Sequence, residues 1–347
     1  MKIYFLGMVL HLICLVCWLI KEKGKIKIPK SNNEKCLLII IAVRALSELI
    51  VHRGISTYSV LYYLLCFFVI LFFYQIEQSQ SMMLNIQDRV SWCIFIIGLI
   101  CSLFAIMYYI VGLGKSFAAF SFRFYRIGGF LFDSILAGFM YGIGLLSAFD
   151  LYRRKRLSGF LTIVSIIIFL IGCLLTGSRG SFYFIILAMT YYIGNKLGFS
   201  RYVVVGLFVA LGAVLYSTFL AEENVSFVSD SARSYKYALA LSVFKNKPIF
   251  GVGTNMFHYH DLIYGSNPHN LPLAMLSENG VVGFIPYVMW FICNMVNLKQ
   301  TTNSYWRWMS ISFFVLSMIF GVLSNMITVI IMVMVTWGCD TSKYLQD

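Results

Sequence analysis

The sequence predicts an all-α integral membrane protein of about eleven (10–12) transmembrane helices with one large extracytoplasmic loop, and three observations predict it. Only 12% of the 347 residues are charged and 60% are hydrophobic, whereas a soluble domain carries about 25% charged residues. The mean hydropathy is +0.83. Apolar runs of about 20 residues, long enough for a helix to cross the hydrocarbon, recur along the whole chain. A soluble core cannot hide that much apolar surface.

In order, the spans fall at 3–20, 37–52, 58–76, 90–111, 131–149, 159–175, 181–195, 202–220 and 271–296. The tract 308–338 is too long for one crossing and reads as two short spans broken near Gly321 to Asn325. The first run has a single Lys ahead of it, no small-residue cleavage site and a strongly basic stretch behind it. It therefore reads as an uncleaved anchor with its N-terminus outside. Lys21, Lys23, Lys25, Lys27, Lys30 and Lys35 follow that span and belong on the cytoplasmic side. Alternation from there places Arg153, Arg154, Lys155, Arg156, Lys196, Arg201, Lys299 and Arg307 inside as well, an excess of positive charge on one side. It places 112–130, the turn Thr176–Gly180 and the long polar segment 221–270 outside. Residues 1–347 thus read as one polytopic membrane domain with the loop 221–270 inserted in it, without internal repeats.

A net charge of +13 in a soluble protein would suggest nucleic acid. Here basic cytoplasmic loops account for it, and no soluble basic domain exists to hold nucleic acid. The nine cysteines lie in or at the ends of apolar segments, so neither a disulfide framework nor a cysteine zinc cluster is expected. Cys14 and Cys17 fall inside the first apolar run, where they read as packing sulfur.

The outer regions supply four arginines: Arg126, Arg123, Arg179 and Arg233. An arginine at a membrane boundary either snorkels to lipid headgroups or meets an anionic partner. Gly177 and Gly180 flank Arg179 and permit close backbone approach, and arginine suits bidentate contact with phosphate oxygens. Arg233 opens an amphipathic helix over 233–245, with Tyr235, Leu239 and Ser242 on one face and Tyr237, Leu241 and Phe244 on the next. It reads as a helix lying on the outer leaflet. Pro248 to Gly253 reads as a turn carrying Gly251 and Gly253. No lysine followed by Ser or Thr completes a P-loop, which excludes a nucleotide site. His269 and Asn270 begin the next span. A histidine can take a proton from a sugar hydroxyl; as an alternative it caps or anchors the helix. Glu278, inside that span, is a buried partner or a reactive carboxylate. His258, His260, Asp261 and His269 match no standard zinc spacing, so no metal and no other cofactor is expected. Arg44 and Glu48 read as a buried i, i+4 pair.

Four pieces together resemble the O-antigen polymerase/ligase superfamily of membrane glycosyltransferases. They are Arg126 and Gly129 with Asp133 and Ala137; Thr176-Gly-Ser-Arg179-Gly; Arg233 followed by Pro248-Ile-Phe-Gly-Val-Gly253; and His269-Asn270 followed by Glu278, Gly280 and Gly283. The resemblance covers residues 120 to 300 and rests on order and spacing more than on any one piece. It implies a multi-pass protein of a bacterial inner membrane, with its active site on the periplasmic or extracytoplasmic side. It implies transfer of a glycan from undecaprenyl pyrophosphate to an acceptor hydroxyl without nucleotides. Arg179 and Arg233 would bind the donor pyrophosphate and His269 would deprotonate or orient the acceptor hydroxyl. Arg126, Gly251, Gly253, Asn270 and Glu278 would line the substrate. The implied partners are an undecaprenyl-pyrophosphate-linked oligosaccharide, the lipid bilayer and a chain-length regulator.

Within that resemblance the leading expectation is a Wzy-type repeat-unit polymerase of O-antigen, capsule or exopolysaccharide. A ligase moving finished polymer onto lipid A-core shares its chemistry. A lipid-linked oligosaccharide transporter or flippase is the alternative of another class. It calls for internal repeats and polar residues at mid-membrane, and the sequence shows no clear repeat.

Overall fold

Apolar runs of this chain become helices because hydrocarbon offers no partner to a bare N–H or C=O, and a helix pairs them within one segment. The computed structural model describes residues 31–52, 63, 66–67, 70, 80–111, 134–176, 178–197, 223–263, 267–300, 304–320 and 326–341. Every regular element among them is a helix: α1 Asn32–His52, α2 Gln80–Ile110, α3 Ser134–Arg153, α4 Gly159–Thr176, α5 Arg179–Leu197, α6 Glu223–Asn246, a 3-10 turn Phe257–Tyr259, α7 Leu271–Gln300, α8 Ser304–Ile319 and α9 Met326–Thr341. Among the described residues four stretches are long and apolar enough to cross a membrane: Asn85–Ile110, Ser134–Arg153, Gly159–Thr176 and Leu271–Leu298.

The expected spans at 37–52, 90–111, 131–149, 159–175, 181–195 and 271–296 fall on α1, α2, α3, α4, α5 and α7. The runs 3–20 and 202–220, and most of 58–76, lie outside the described residues. The tract 308–338 carries two helices, α8 ending at Ile319 and α9 beginning at Met326; the expected break at Gly321 to Asn325 lies outside the described residues.

The chain forms two compact units: 1–83 with 230–302 and 317–347, and 84–229 with 303–316. In the second unit α3 is the central helix, buried without interruption from Leu136 to Leu151. Small residues allow this. A side chain at Gly138 would overlap Ser181 of α5, and one at Gly142 would overlap Phe184. Gly144 and Gly98 bring α3 and α2 to backbone distance, the would-be Cβ of Gly98 lying 3.0 Å from the Met140 carbonyl. Close approach through small residues is what drives helix association where no hydrophobic effect operates.

One end of α3 carries a charged cluster. Asp150 is fully buried. Its carboxylate accepts hydrogen bonds from Arg153 at 3.0 Å and from Tyr191 of α5 at 3.0 Å, and it also pairs with Arg154. Arg154 reaches on to Asp88 of α2. A buried carboxylate is tolerable only with such a set of partners.

In the first unit α7 packs on α1 and α9, with the Trp290 indole donating to Thr336 of α9 at 2.9 Å. α6 starts at Glu223, well before the expected 233. Among its described side chains Lys236, Ala240 and Val243 are buried, and Leu239, from one of the two faces read in the sequence, is partly buried beside them. Ala240 and Val243 close a small core with Val252 and Phe257, so the polar segment packs on itself.

Candidate functional site

α7 is broken. Gly280 has φ 61° and ψ −162° inside the helix, a conformation essentially reserved for glycine. A break leaves carbonyls on one side and amides on the other without helical partners. The segment 248–253 supplies both. Val252 N–H donates to the Ser277 carbonyl at 3.0 Å and Gly253 N–H to the Glu278 carbonyl at 2.9 Å, while Val281 and Val282 donate to the Pro248 and Ile249 carbonyls at 2.8 and 3.2 Å. Gly251, at φ 69°, lies so close to residues 277–278 that any Cβ would overlap their backbone, and Gly280 meets Ile249 in the same way. Irregular backbone within an apolar span is tolerable only when paired in this manner.

A buried polar cluster surrounds the break. The Ser47 hydroxyl of α1 donates to the Phe250 carbonyl at 3.0 Å, and Thr254 donates to the Arg44 carbonyl at 3.0 Å. Asn279 donates through Nδ2 to Thr254 at 2.9 Å and faces an Arg44 guanidinium nitrogen through Oδ1 at 3.5 Å. The Glu278 carboxylate is buried and accepts the backbone N–H groups of Asn255 and Phe257. Among the described residues no ion pair joins Arg44 to Glu48, contrary to the i, i+4 expectation. Glu48 instead accepts the Tyr63 hydroxyl at 2.9 Å, because partners brought in by other segments outcompete the local one. Beside Arg44 lies a small, partly open apolar crevice lined by Leu37, Ile40 and Ile41 of α1 and by Val329, Met332 and Val333 of α9.

The residues expected to carry chemistry sit as follows. Arg233 is partly buried on α6, one turn before Lys236. Lys236 is 5% exposed. Burial pushes its ammonium below its ordinary value, Asp261 pulls it back and Arg233 adds to the depression. His269 is partly buried just before α7. Asn270 caps that helix: its Oδ1 accepts the Leu273 N–H at 3.0 Å and its carbonyl accepts the Ala274 N–H at 2.9 Å. Gly251 N–H donates to the Lys247 carbonyl at 3.1 Å. The amides of Gly251 and Gly253 are therefore both engaged within the chain. Among the described residues no three His, Cys, Asp or Glu side chains gather to hold a metal.

Arg179 belongs to the second unit and is the first residue of α5. The turn before it is tightly bonded: Thr176 donates to the Ser181 hydroxyl at 2.8 Å, and the Ser178 carbonyl accepts the Ser181 N–H at 3.0 Å. Ser181 in turn donates to the Ser134 carbonyl at the start of α3 at 3.3 Å. The backbone carrying Arg179 is thereby fixed at one end of the α3–α5 pair. Arg126 lies outside the described residues.

Sequence reasoning missed the role of Arg44, Ser47, Thr254 and Asn279. The available signal was an arginine within an apolar helix, which is by itself a pointer to function.

The apolar helices and the broken span define a class, a multi-pass helical membrane protein. Residues 164–288 match the family described as O-antigen ligase, a likeness that supports a relation to the O-antigen polymerase/ligase superfamily of membrane glycosyltransferase-like enzymes. The matched stretch contains Arg179, Arg233, Gly251, Gly253, His269, Asn270 and Glu278, and Arg126 precedes it. No curated protein matches the chain.

Proposed function

We propose that this chain is a Wzy-type polymerase that transfers a glycan from undecaprenyl pyrophosphate to a hydroxyl of a second lipid-linked repeat unit. The reaction takes place on the extracytoplasmic side of a bacterial inner membrane, in a body of about eleven spans carrying the loop 221–270. The observation that carries the proposal is that a single family match runs from before Arg179 to beyond His269 and takes in both arginines and the histidine.

The roles follow from chemistry. No ATP is available outside the membrane, so the energy resides in the donor's bond to pyrophosphate. The acceptor oxygen attacks the anomeric carbon, and the bond from that carbon to the pyrophosphate oxygen breaks. The electron pair leaves with the lipid pyrophosphate, and the hydroxyl proton passes to His269. Charge on the leaving group grows as the bond breaks, so Arg179 and Arg233 stabilise the transition state more than the ground state. Gly251, Gly253 and Glu278 hold the base of the loop, and Asn270 sets the start of α7 beside His269.

The ligase reading, with lipid A-core as acceptor, is favoured by the description of the matched family. A knockout complemented by wild type or by His269→Ala, read as a polysaccharide ladder on a gel, separates the two. Collapse to a single repeat, rescued by wild type only, is the expected outcome. Collapse to bare core identifies the ligase, and an unchanged ladder overturns both readings for that glycan.

A further inference from the structure

The turn after Gly253 presents polar and aromatic groups that the mechanism above leaves unused. Asn255 has φ 59°, a left-handed conformation rare outside glycine and best tolerated by asparagine. Glu278 holds it there through the Asn255 N–H. The Asn255 side chain is exposed, and its Oδ1 accepts the Asn267 amide at 3.4 Å. Tyr259 is 65% exposed, and its ring centre lies 4.0 Å from that of His258. His260 is exposed as well.

The base of the turn is rigid. Met256 and Tyr259 donate to the Gly253 and Met256 carbonyls, each at 3.2 Å, and His260 donates to the Phe257 carbonyl at 2.8 Å. Phe257 is fully buried against Ala240, Val243 and Val252. Strained backbone that persists because its surroundings fix it is a mark of ligand sites, and preorganisation lowers the cost of binding. An open aromatic face beside an exposed amide suits a saccharide. The ring covers the C–H face of a pyranose and the amide bonds its hydroxyls.

We infer that the turn Asn255–His260 is a saccharide subsite that seats the acceptor glycan, with Tyr259 stacking on a sugar ring and Asn255 bonding a hydroxyl. Its assignment to the acceptor rests on the transferase reading above, whereas saccharide binding itself does not. The Asn255–Asn267 contact ties the turn to the segment that carries His269 two residues later. The competing occupant is lipid, because Leu262 and Ile263 close by are also exposed.

The test uses the full chain in nanodiscs. The probe is the oligosaccharide released by mild acid from lipid-linked repeat units of cells lacking this gene. Saturation-transfer NMR reads binding, and the apparent acceptor KM reads use. Wild type and His269→Ala should both transfer saturation to the sugar. Tyr259→Leu, which keeps an apolar surface for lipid but loses the aromatic face, should weaken binding and raise KM by about fivefold to tenfold, and Tyr259→Phe should retain both. Binding without any turnover by wild type supports the subsite and removes the transferase reading. The proposal is overturned by the absence of saturation transfer to wild type. It is equally overturned if Tyr259→Leu behaves as wild type, since that makes the residue a lipid contact.

Discussion

The Gly253 amide donates to the Glu278 carbonyl at 2.9 Å, and the side chain of Glu278 then accepts the N–H groups of Asn255 and Phe257. One residue thus binds the polar segment through both its backbone and its carboxylate. The turn bearing Asn255 and Tyr259 is built on a defect in a helix. Replacing Glu278 by Gln keeps an acceptor but removes its charge and points an NH₂ group at backbone donors. Hydrogen bonds to a charged group contribute about 1.5–3 kcal/mol, and Glu278→Gln should lose stability of that order. A thermal melt in detergent checks it; an unchanged midpoint removes Glu278 as the anchor.

Gly280 tests the break itself. At φ 61° and ψ −162° an L-residue is strained by on the order of 1–3 kcal/mol, and a methyl group there would in addition overlap the Ile249 carbonyl. Gly280→Ala should therefore detach the segment 248–253 from α7. Limited proteolysis between residues 245 and 263 is the readout, with cleavage expected in the variant and protection in the wild type. Equal protection shows that the break survives without glycine.

Asp150 makes a separate prediction for the second unit. It is buried with Arg153, Arg154, Tyr191 and Ser91 around it. Removing its charge leaves Arg153 without its counter-ion and Arg154 with Asp88 alone, a change smaller than the about 3–5 kcal/mol of fully buried pairs because both guanidinium groups reach solvent. Asp150→Asn should reduce the yield of folded protein, measured by fluorescence-detected size exclusion. The activity per folded molecule should stay unchanged, because no chemical role is assigned to Asp150. Loss of specific activity at full yield would contradict this.

The parts of the fold legible in the sequence were those written in hydropathy. α3, α4 and α7 sit on their apolar runs, and the tract 308–338, too long for one crossing, carries the two helices α8 and α9. The short connection ending at Arg179 was readable from the apolar runs that flank it. The docking of 248–253 on α7 was not, because it is made by backbone hydrogen bonds between segments far apart in sequence, which no side-chain pattern encodes. Only Gly251 and Gly280 betray it. The buried face of α6 was not named from the sequence, because it includes Lys236 and a lysine marks solvent in any periodicity argument. Arg44 was given Glu48 by helical spacing, whereas Asn279, Met275 and Tyr63 decided the partners.

Lys236 also predicts a dependence on pH. Its ordinary pKa is 10.5, and burial lowers it in the folded protein. Between the lowered value and 10.5 the unfolded chain binds more protons than the folded one, so stability rises with pH across that window. Below the lowered value the penalty of a buried ammonium is present in full. Melting temperatures of wild type measured from neutrality up to pH 10.5 should include this rise, and Lys236→Met should flatten it. Parallel curves for the two proteins would show that Lys236 is charged and fully compensated by Asp261 throughout.

The final prediction separates arginine from mere positive charge. If Arg179 and Arg233 grip a pyrophosphate, the planar fork of the guanidinium matters, since two parallel N–H groups match two phosphate oxygens and an ammonium cannot reproduce that contact. Arg179→Lys and Arg233→Lys keep the charge, so the protein should insert and express as wild type. The bonds around this turn run from the Thr176 hydroxyl to the Ser181 hydroxyl and from the Ser181 N–H to the Ser178 carbonyl, and Arg179→Lys leaves those groups in place. Loss of one charge-assisted bond of about 1.5–3 kcal/mol, felt mainly in the transition state, corresponds to roughly a tenfold to hundredfold fall in kcat with a smaller change in KM. The measurement is initial rate against donor concentration for purified variants. If lysine restores full kcat at either position, that arginine acts as a general positive charge near lipid headgroups and has no hold on the leaving group.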